Sequence, residues 1–269
     1  MKKLTQDQQK FFFDNGFLVI KGFLSDSKVF YQLIPELEEY TRSFAPAFSL
    51  SEPQSVLNLD QSERRVLYAG LRYLPGIFRL SSSKEIQLVS QSLGLEMPGF
   101  ELFNNIRMDL PDEDQFLFHW HQDITYNLGS VNGITYWVPL STTNRKFGGI
   151  EVLPRSHKRG LWPCKVLNPE NKSGLLSTND IQITEEPEGK PLTIETEFGD
   201  LVVFSQLLMH RSLGNRSDKI RWTIQMRHCD FMEKYFREAG FPMGDNTTLD
   251  RTDYLEKWTL DYGEKYKNT

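Results

Sequence analysis

Two stretches flank His210 and decide how the chain reads: Gly199-Asp200-Leu201-Val202-Val203-Phe204 before it, and Lys219-Ile220-Arg221-Trp222-Thr223-Ile224-Gln225-Met226 after it. The first is a turn followed by an apolar run of strand length. The second alternates, with Ile220, Trp222, Ile224 and Met226 on one side and Arg221, Thr223, Gln225 and Arg227 on the other. A period of two describes a strand with one face buried. Gly214-Asn215 supplies a turn between His210 and the second strand. A polar face opposite one so apolar either meets solvent or lines a polar pocket, and the neighbouring His210 favours the pocket.

The same texture extends outward from about residue 99, in Gly133 to Leu140, Ile150 to Leu153 and Leu192 to Thr196, and predicts an antiparallel barrel or sandwich. The upstream part reads as helical. Thr5 and Gln8 form a capping-box pattern and Gly16 a stop, predicting a helix over about 5–15. Phe17 to Ile20 reads as a strand ending near Gly22. Ser25 is placed as the cap of a second helix carrying Val29, Leu33, Leu37 and Tyr40. Residues 44–62 read as loop and 84–95 as a further helix. The polar stretch 164–190, with Pro163, Pro169 and Pro187 at and within its ends, reads as a long insertion over the barrel mouth. The tail after Gly240 reads as a surface helix. The expected organisation is one domain: a helical N-terminal region of about 1–98, a β core of about 99–230 and a C-terminal extension of 231–269.

A chain of 269 residues buries enough surface to fold without staples. Its net charge of −5 gives no basic footprint, so nucleic acid is not an expected partner. No stretch has the apolar length of a membrane span, and no signal-peptide core follows Lys2-Lys3. Cys164 and Cys229 form no CxxC pair, and both thiols are expected to be reduced in a cytoplasmic protein. The composition leaves oligomeric state open.

The chemistry concentrates in Phe118-His119-Trp120-His121-Gln122-Asp123. On a strand, His121 and Asp123 share a face and can take adjacent positions on one metal. Alone, the pair reads equally well as a satisfied strand-edge hydrogen bond. His210 is the candidate third ligand, and two histidines with one carboxylate leave positions open, which suits iron(II). His119 is a rival on the face of His121. His157 reads as a structural turn residue and His228 as a packing or surface histidine. Arg221, eleven residues beyond His210, offers the planar fork that grips a carboxylate. Arg227, on the same face, reads as a substrate contact or as one half of a salt bridge.

From His121 to Arg227 the sequence resembles the phytanoyl-CoA dioxygenase family of iron(II)/2-oxoglutarate oxygenases. His121-Gln122-Asp123, Tyr136-Trp137-Val138-Pro139-Leu140, Gly148 through His157, Gly199-Asp200, His210-Arg211-Ser212 and Arg221 match in order, and Gly16 through Leu24 resembles the family's opening strand. Arg155 stands where the family usually carries glycine. The resemblance implies a mainly β protein with α additions: a double-stranded β-helix (jelly-roll, cupin-like) core with N-terminal helices. It implies iron held by His121, Asp123 and His210, and 2-oxoglutarate held by Arg221 with help from Ser212, in a pocket lined by Trp137 and Phe118. The implied reaction consumes O2, releases succinate and CO2, and hydroxylates a small molecule; the carboxylate ligand Asp123 separates it from halogenases. A non-redox metal barrel (lyase, isomerase or binding protein) and oxygenases that desaturate, epimerise or close rings are the competing readings.

Overall fold

The computed structural model describes residues 3–101, 104–167 and 181–243. Helix α1 (Gln6–Asn15) begins at the expected capping box: the Gln8 amide donates to Thr5 Oγ1, and the Thr5 amide donates to Gln8 Oε1. It stops at Gly16, whose φ of +83° is left-handed and where a Cβ would lie 2.5 Å from His157 Nδ1. Only glycine meets both demands. The chain then enters β1 (Phe17–Ile20).

Helix α2 (Lys28–Arg42) is capped by Ser27, two residues later than expected, because its buried stripe is Phe30, Leu33, Leu37 and Thr41. Ser25 lies in the preceding turn, its amide donating to the Gly22 carbonyl. The stretch expected to be loop holds a 3-10 turn over Pro53–Asn58 and leads into α3 (Gln61–Leu71), which opens on a second capping box between Asp60 and Glu63. Helices α4 (Pro75–Ser81) and α5 (Lys84–Ser92) follow.

The strands are β2 (Pro98–Phe100), β3 (Asn105–Asp109), β4 (Ile134–Pro139), β5 (Ile150–Val152), β6 (Cys164–Val166), β7 (Ile181–Ile183), β8 (Leu192–Thr193), β9 (Leu201–Ser205), β10 (His210–Ser212) and β11 (Arg221–Asp230). Two short helices, α6 (Asp123–Asn127) and α7 (Lys234–Glu238), complete the described elements. The large sheet runs β1-β9-β4-β11, all antiparallel, and the far edge of β11 pairs first with β3 and then with β2. A smaller sheet, β10-β5-β8, is extended by a bridge between His121 and His210. The two sheets form the β-helix core, not closed at its edges. β1 belongs to the large sheet, so the N-terminal region is not purely helical.

Alternation sorts the large sheet into two buried faces. Ile134, Tyr136, Val138, Leu201, Val203, Trp222, Ile224 and Met226 pack with the helices in the larger core. Trp137, Val202 and Phe204 face the small sheet, against Ile150 and Val152. A sheet covered on both sides carries nearly continuous apolar strands, as 201–204 does. At roughly 25 cal/mol per Å2 of apolar surface removed from water, these two layers dominate the fold's stabilisation.

Within 164–190, β6 and β7 pair as a hairpin. Residues 168–180 of the insertion, and the tail expected to form a surface helix from 244 onward, lie outside the described residues. Among the described residues no helix is long and apolar enough to cross a membrane.

Candidate metal centre and its cavity

His121, Asp123 and His210 are buried, and one ligand atom from each lies within 4.8 Å of the others. His121 Nε2 is 3.5 Å and His210 Nε2 3.6 Å from Asp123 Oδ1. The convergence does not arise from a continuous strand. His121 makes a single bridge to His210, and Asp123 opens α6, so the chain turns between the two side chains.

Each donor is aimed by its second partner. His121 Nδ1 is 2.7 Å from the His119 carbonyl and His210 Nδ1 2.9 Å from that of Leu208. A carbonyl only accepts, so each Nδ1 carries the proton and each Nε2 presents its lone pair. Burial lowers the His210 pKa to about 4, and the imidazole stays neutral as a metal ligand must. Asp123 is sorted in the same way. Its Oδ2 accepts from Thr135 Oγ1 at 2.6 Å and Arg227 Nε at 3.2 Å, and Oδ1 faces the imidazoles. Burial would raise the Asp123 carboxyl, but the Arg227 guanidinium holds it well below the usual range, so it is an anion. Thr135 and Arg227 face one another across β4 and β11, and the strand register therefore builds the carboxylate's clamp. Arg227 is accordingly the ion-pair partner of the carboxylate. Two neutral imidazoles and one carboxylate fit iron(II).

The three groups stand in the wall of a cavity of about 420 Å3. Phe118, Trp137 and Ser212 also line it. Arg221 does not reach the wall. It is 3% exposed and pairs through Nη2 with Asp109 Oδ2 at 2.6 Å, directly across the β11–β3 register. Its Nε and Nη1 are buried without a hydrogen-bond partner. Asp109 also takes Arg107 at 2.7 Å, and these two guanidinium groups hold its carboxyl below the usual range despite burial. Both nitrogens lie behind the cavity wall, so Arg221 would have to be uncovered to meet an incoming carboxylate.

The remaining histidines separate cleanly. His119 is exposed and lines a second, wider hollow of about 630 Å3 beside the β6–β7 hairpin, away from the metal cluster. His157 Nε2 bonds the Phe13 carbonyl at 3.0 Å and holds its turn against α1. His228 is buried with both ring nitrogens engaged by Ser81 and Ser90. Sequence reasoning missed Arg65, Tyr68 and Arg72 on or next to α3, Asn105 and Arg107 on β3, and Thr135, all of which line the cavity. The Asp60/Glu63 capping box announces α3, and the alternation Ile106, Met108 against Arg107, Asp109 announces β3.

The family profile described as phytanoyl-CoA dioxygenase (PhyH) matches residues 12–223. The peroxisomal phytanoyl-CoA dioxygenase of Bos taurus is 26% identical over 259 residues, covering 88% of this chain and 72% of its own. The 2-aminoethylphosphonate dioxygenase of the uncultured bacterium HF130_AEPn_1 is 26% identical over 227 residues, covering 82% and 80%. Among solved structures, EvdO2 from Micromonospora carbonacea var. aurantiaca shares the fold with a TM-score of 0.58 at 17% identity, over 84% of this chain and 91% of its own. EvdO2 has also been solved complexed with 2-oxoglutarate.

Proposed function

We propose that this chain, which belongs to the phytanoyl-CoA dioxygenase family and is an iron(II)- and 2-oxoglutarate-dependent dioxygenase, hydroxylates a small free metabolite, with His121, Asp123 and His210 as the iron ligands. The observation that carries this reading is the convergence of two oriented Nε2 atoms and one carboxylate oxygen on a buried cavity wall. Iron(II) with 2-oxoglutarate, when bound, supplies the oxidising power, with O2 consumed and succinate and CO2 released.

The chain's own residues prepare the place. The His119 and Leu208 carbonyls fix both imidazole tautomers. Thr135 and Arg227 occupy Asp123 Oδ2 and leave Oδ1 for the metal. Arg221, held by Asp109, is the proposed grip on the far carboxylate of 2-oxoglutarate, and Ser212, which lines the cavity, is its proposed helper. Trp137, Phe118, Ile150 and Phe204 supply apolar wall that excludes water around the reacting groups. The retained carboxylate ligand supports hydroxylation. A cavity of about 420 Å3 supports a small substrate over a whole acyl-CoA. Cys164 and Cys229 are both free, which supports a cytoplasmic location.

The test is a panel of free metabolites and acyl-CoA thioesters, scored by succinate release from the iron-loaded enzyme and by product mass. The expected result is succinate coupled to a free metabolite that gains one oxygen atom. Coupling to thioesters alone, or a product that has only lost hydrogen, would overturn the substrate or the outcome respectively.

A further inference from the structure

The polar groups of the cavity wall divide into those already paired inside the protein and those left open. Arg107 holds Asp109, and Thr135 and Arg227 hold Asp123. Asn127 donates through Nδ2 to the Asp123 carbonyl at 3.2 Å. Asn105 on β3 and Gln225 on β11 differ. Both line the cavity, and among the described residues neither side-chain amide has a hydrogen-bond partner. They are direct partners in the β11–β3 register, so their Cβ atoms stand about 5 Å apart on one face of the sheet. Asn105 is 9% exposed and Gln225 half-buried, which makes them enclosed groups and not surface amides. Tyr68 lines the same cavity from α3, its hydroxyl unbonded among the described residues, and burial raises its pKa, so it stays a donor.

Strand register places this pair within the site. On β11, Gln225 stands two residues, about 7 Å, before Arg227, whose guanidinium holds Asp123. Across the sheet the order is Trp137 on β4, Gln225 on β11 and Asn105 on β3, and α3 packs on β3. The row therefore runs from Trp137, on the wall expected for the co-substrate, toward Tyr68. A primary amide offers two donors and an acceptor oxygen, so two side by side match a group that both gives and takes a hydrogen bond. A ligand that expels water from the cavity must replace the bonds these amides made to it, and an apolar group fails to. A charged group needs a counter-charge, and the buried arginines of this wall, Arg107 and Arg227, are spent on carboxylates.

We propose that Asn105 and Gln225 form a substrate subsite for an uncharged group that both donates and accepts hydrogen bonds, a hydroxyl or a carboxamide, with Tyr68 beside it. The proposal rests on the dioxygenase reading, because it places the carbon to be hydroxylated beside His121, Asp123 and His210. Selectivity follows from the amides: a substrate analogue of the same shape that lacks the donor leaves their oxygens unpaired in a cavity emptied of water.

The test uses full-length protein loaded anaerobically with Mn(II), a redox-inert stand-in, and with 2-oxoglutarate. Propionamide, 2-butanol, butanone and propionate share one heavy-atom skeleton and differ only in hydrogen bonding and charge. Each is titrated in, and shortening of its methyl-proton relaxation times by the metal reports binding in the cavity. Propionamide or 2-butanol should saturate, and whichever binds more tightly tells a carboxamide from a hydroxyl; butanone and propionate should bind at least about fivefold more weakly. In an Asn105→Leu/Gln225→Met double variant, which keeps side-chain size, affinity for the preferred probe should fall by about tenfold or more. Butanone affinity and 2-oxoglutarate affinity should stay within about twofold, which separates lost hydrogen bonds from lost folding. The proposal is overturned if no probe binds, if butanone or propionate binds as well as the other two, or if the double variant keeps the parent's preference. It is also overturned if 2-oxoglutarate affinity falls in parallel, since the amides would then serve the co-substrate. Failure of 2-oxoglutarate to bind the metal-loaded parent strikes the dioxygenase reading instead, and the same titrations of the Mn(II) form alone still decide this proposal.

Discussion

His210 and His228 are both buried on β-strands of one chain, and burial pushes both imidazoles down to about 4. Their surroundings give them opposite uses. His228 has Nδ1 2.7 Å from Ser90 Oγ and Nε2 3.1 Å from both the hydroxyl and the carbonyl of Ser81. It ties α4 and α5 to the helix-covered face of the large sheet and has no lone pair to offer. His210 spends only Nδ1 on the protein and turns Nε2 toward His121 and Asp123. Burial and a displaced pKa do not distinguish a ligand from a strut. The count of ring nitrogens already satisfied does.

The comparison can be broken most directly with iron. His210→Ala should lower iron(II) affinity by more than about a hundredfold, since outer partners of metal ligands alone are worth about 10–100-fold. His228→Phe should bind iron as the parent does. Equal iron losses in the two variants, measured by anaerobic equilibrium dialysis, would show that the difference in hydrogen bonding means nothing. Thr135→Val, which removes one of the two groups holding Asp123 Oδ2, should cost about tenfold in the same assay.

Stability sharpens it from the other side. Both histidines titrate lower in the folded chain than the ordinary 6.5, so both are neutral in the fold and the unfolded chain takes up protons first. Their contribution is complete above about pH 6.5 and is lost as pH falls toward 4, by roughly 2–3 kcal/mol per histidine in metal-free protein. His228→Phe should cost about 2 kcal/mol at pH 7 and remove its share of the acid loss, leaving that of His210. Urea titrations at pH 7 and pH 5 read both numbers; an unchanged pH dependence in the variant would contradict the account. The smallest effect concerns Arg155, whose φ of +71° is left-handed and which stands where the family usually has glycine. Arg155→Gly should stabilise the chain by about 0.5–1 kcal/mol, visible as a rise of a degree or two in Tm. A fall in Tm would mean that the arginine side chain does more than the backbone strain costs.

The candidate metal cluster was legible because His121, Asp123 and His210 are named by local motifs, even though the strand first inferred for residues 121–123 is a bridge followed by a helical turn. The face of β11 was legible for the same reason: period two survives from Arg221 to Arg227 whatever lies opposite. What lies opposite was not. That Thr135 meets Arg227, and Asp109 meets Arg221, is a matter of strand register, which pairs positions more than 90 residues apart. Arg221 was therefore expected in the cavity wall, whereas its cross-strand partner draws it behind. Arg65 and Arg72 were missed for a different reason: α3 covers 61–71, a stretch given no element beforehand, and without it nothing placed them near the candidate ligands.

The central claim is that His121, Asp123 and His210 present iron(II) to 2-oxoglutarate, with Arg221 taking the far carboxylate. It is tested by titrating 2-oxoglutarate into anaerobic, iron(II)-loaded protein and following the visible charge-transfer absorbance of the chelate. The band should saturate at one equivalent per chain. In Arg221→Ala it should need about tenfold to several hundredfold more co-substrate, while iron stays bound, taking the loss as about 1.4–3.5 kcal/mol. Stoichiometric iron with no band in the parent protein would contradict the claim, and an unshifted titration in Arg221→Ala would remove Arg221 from it.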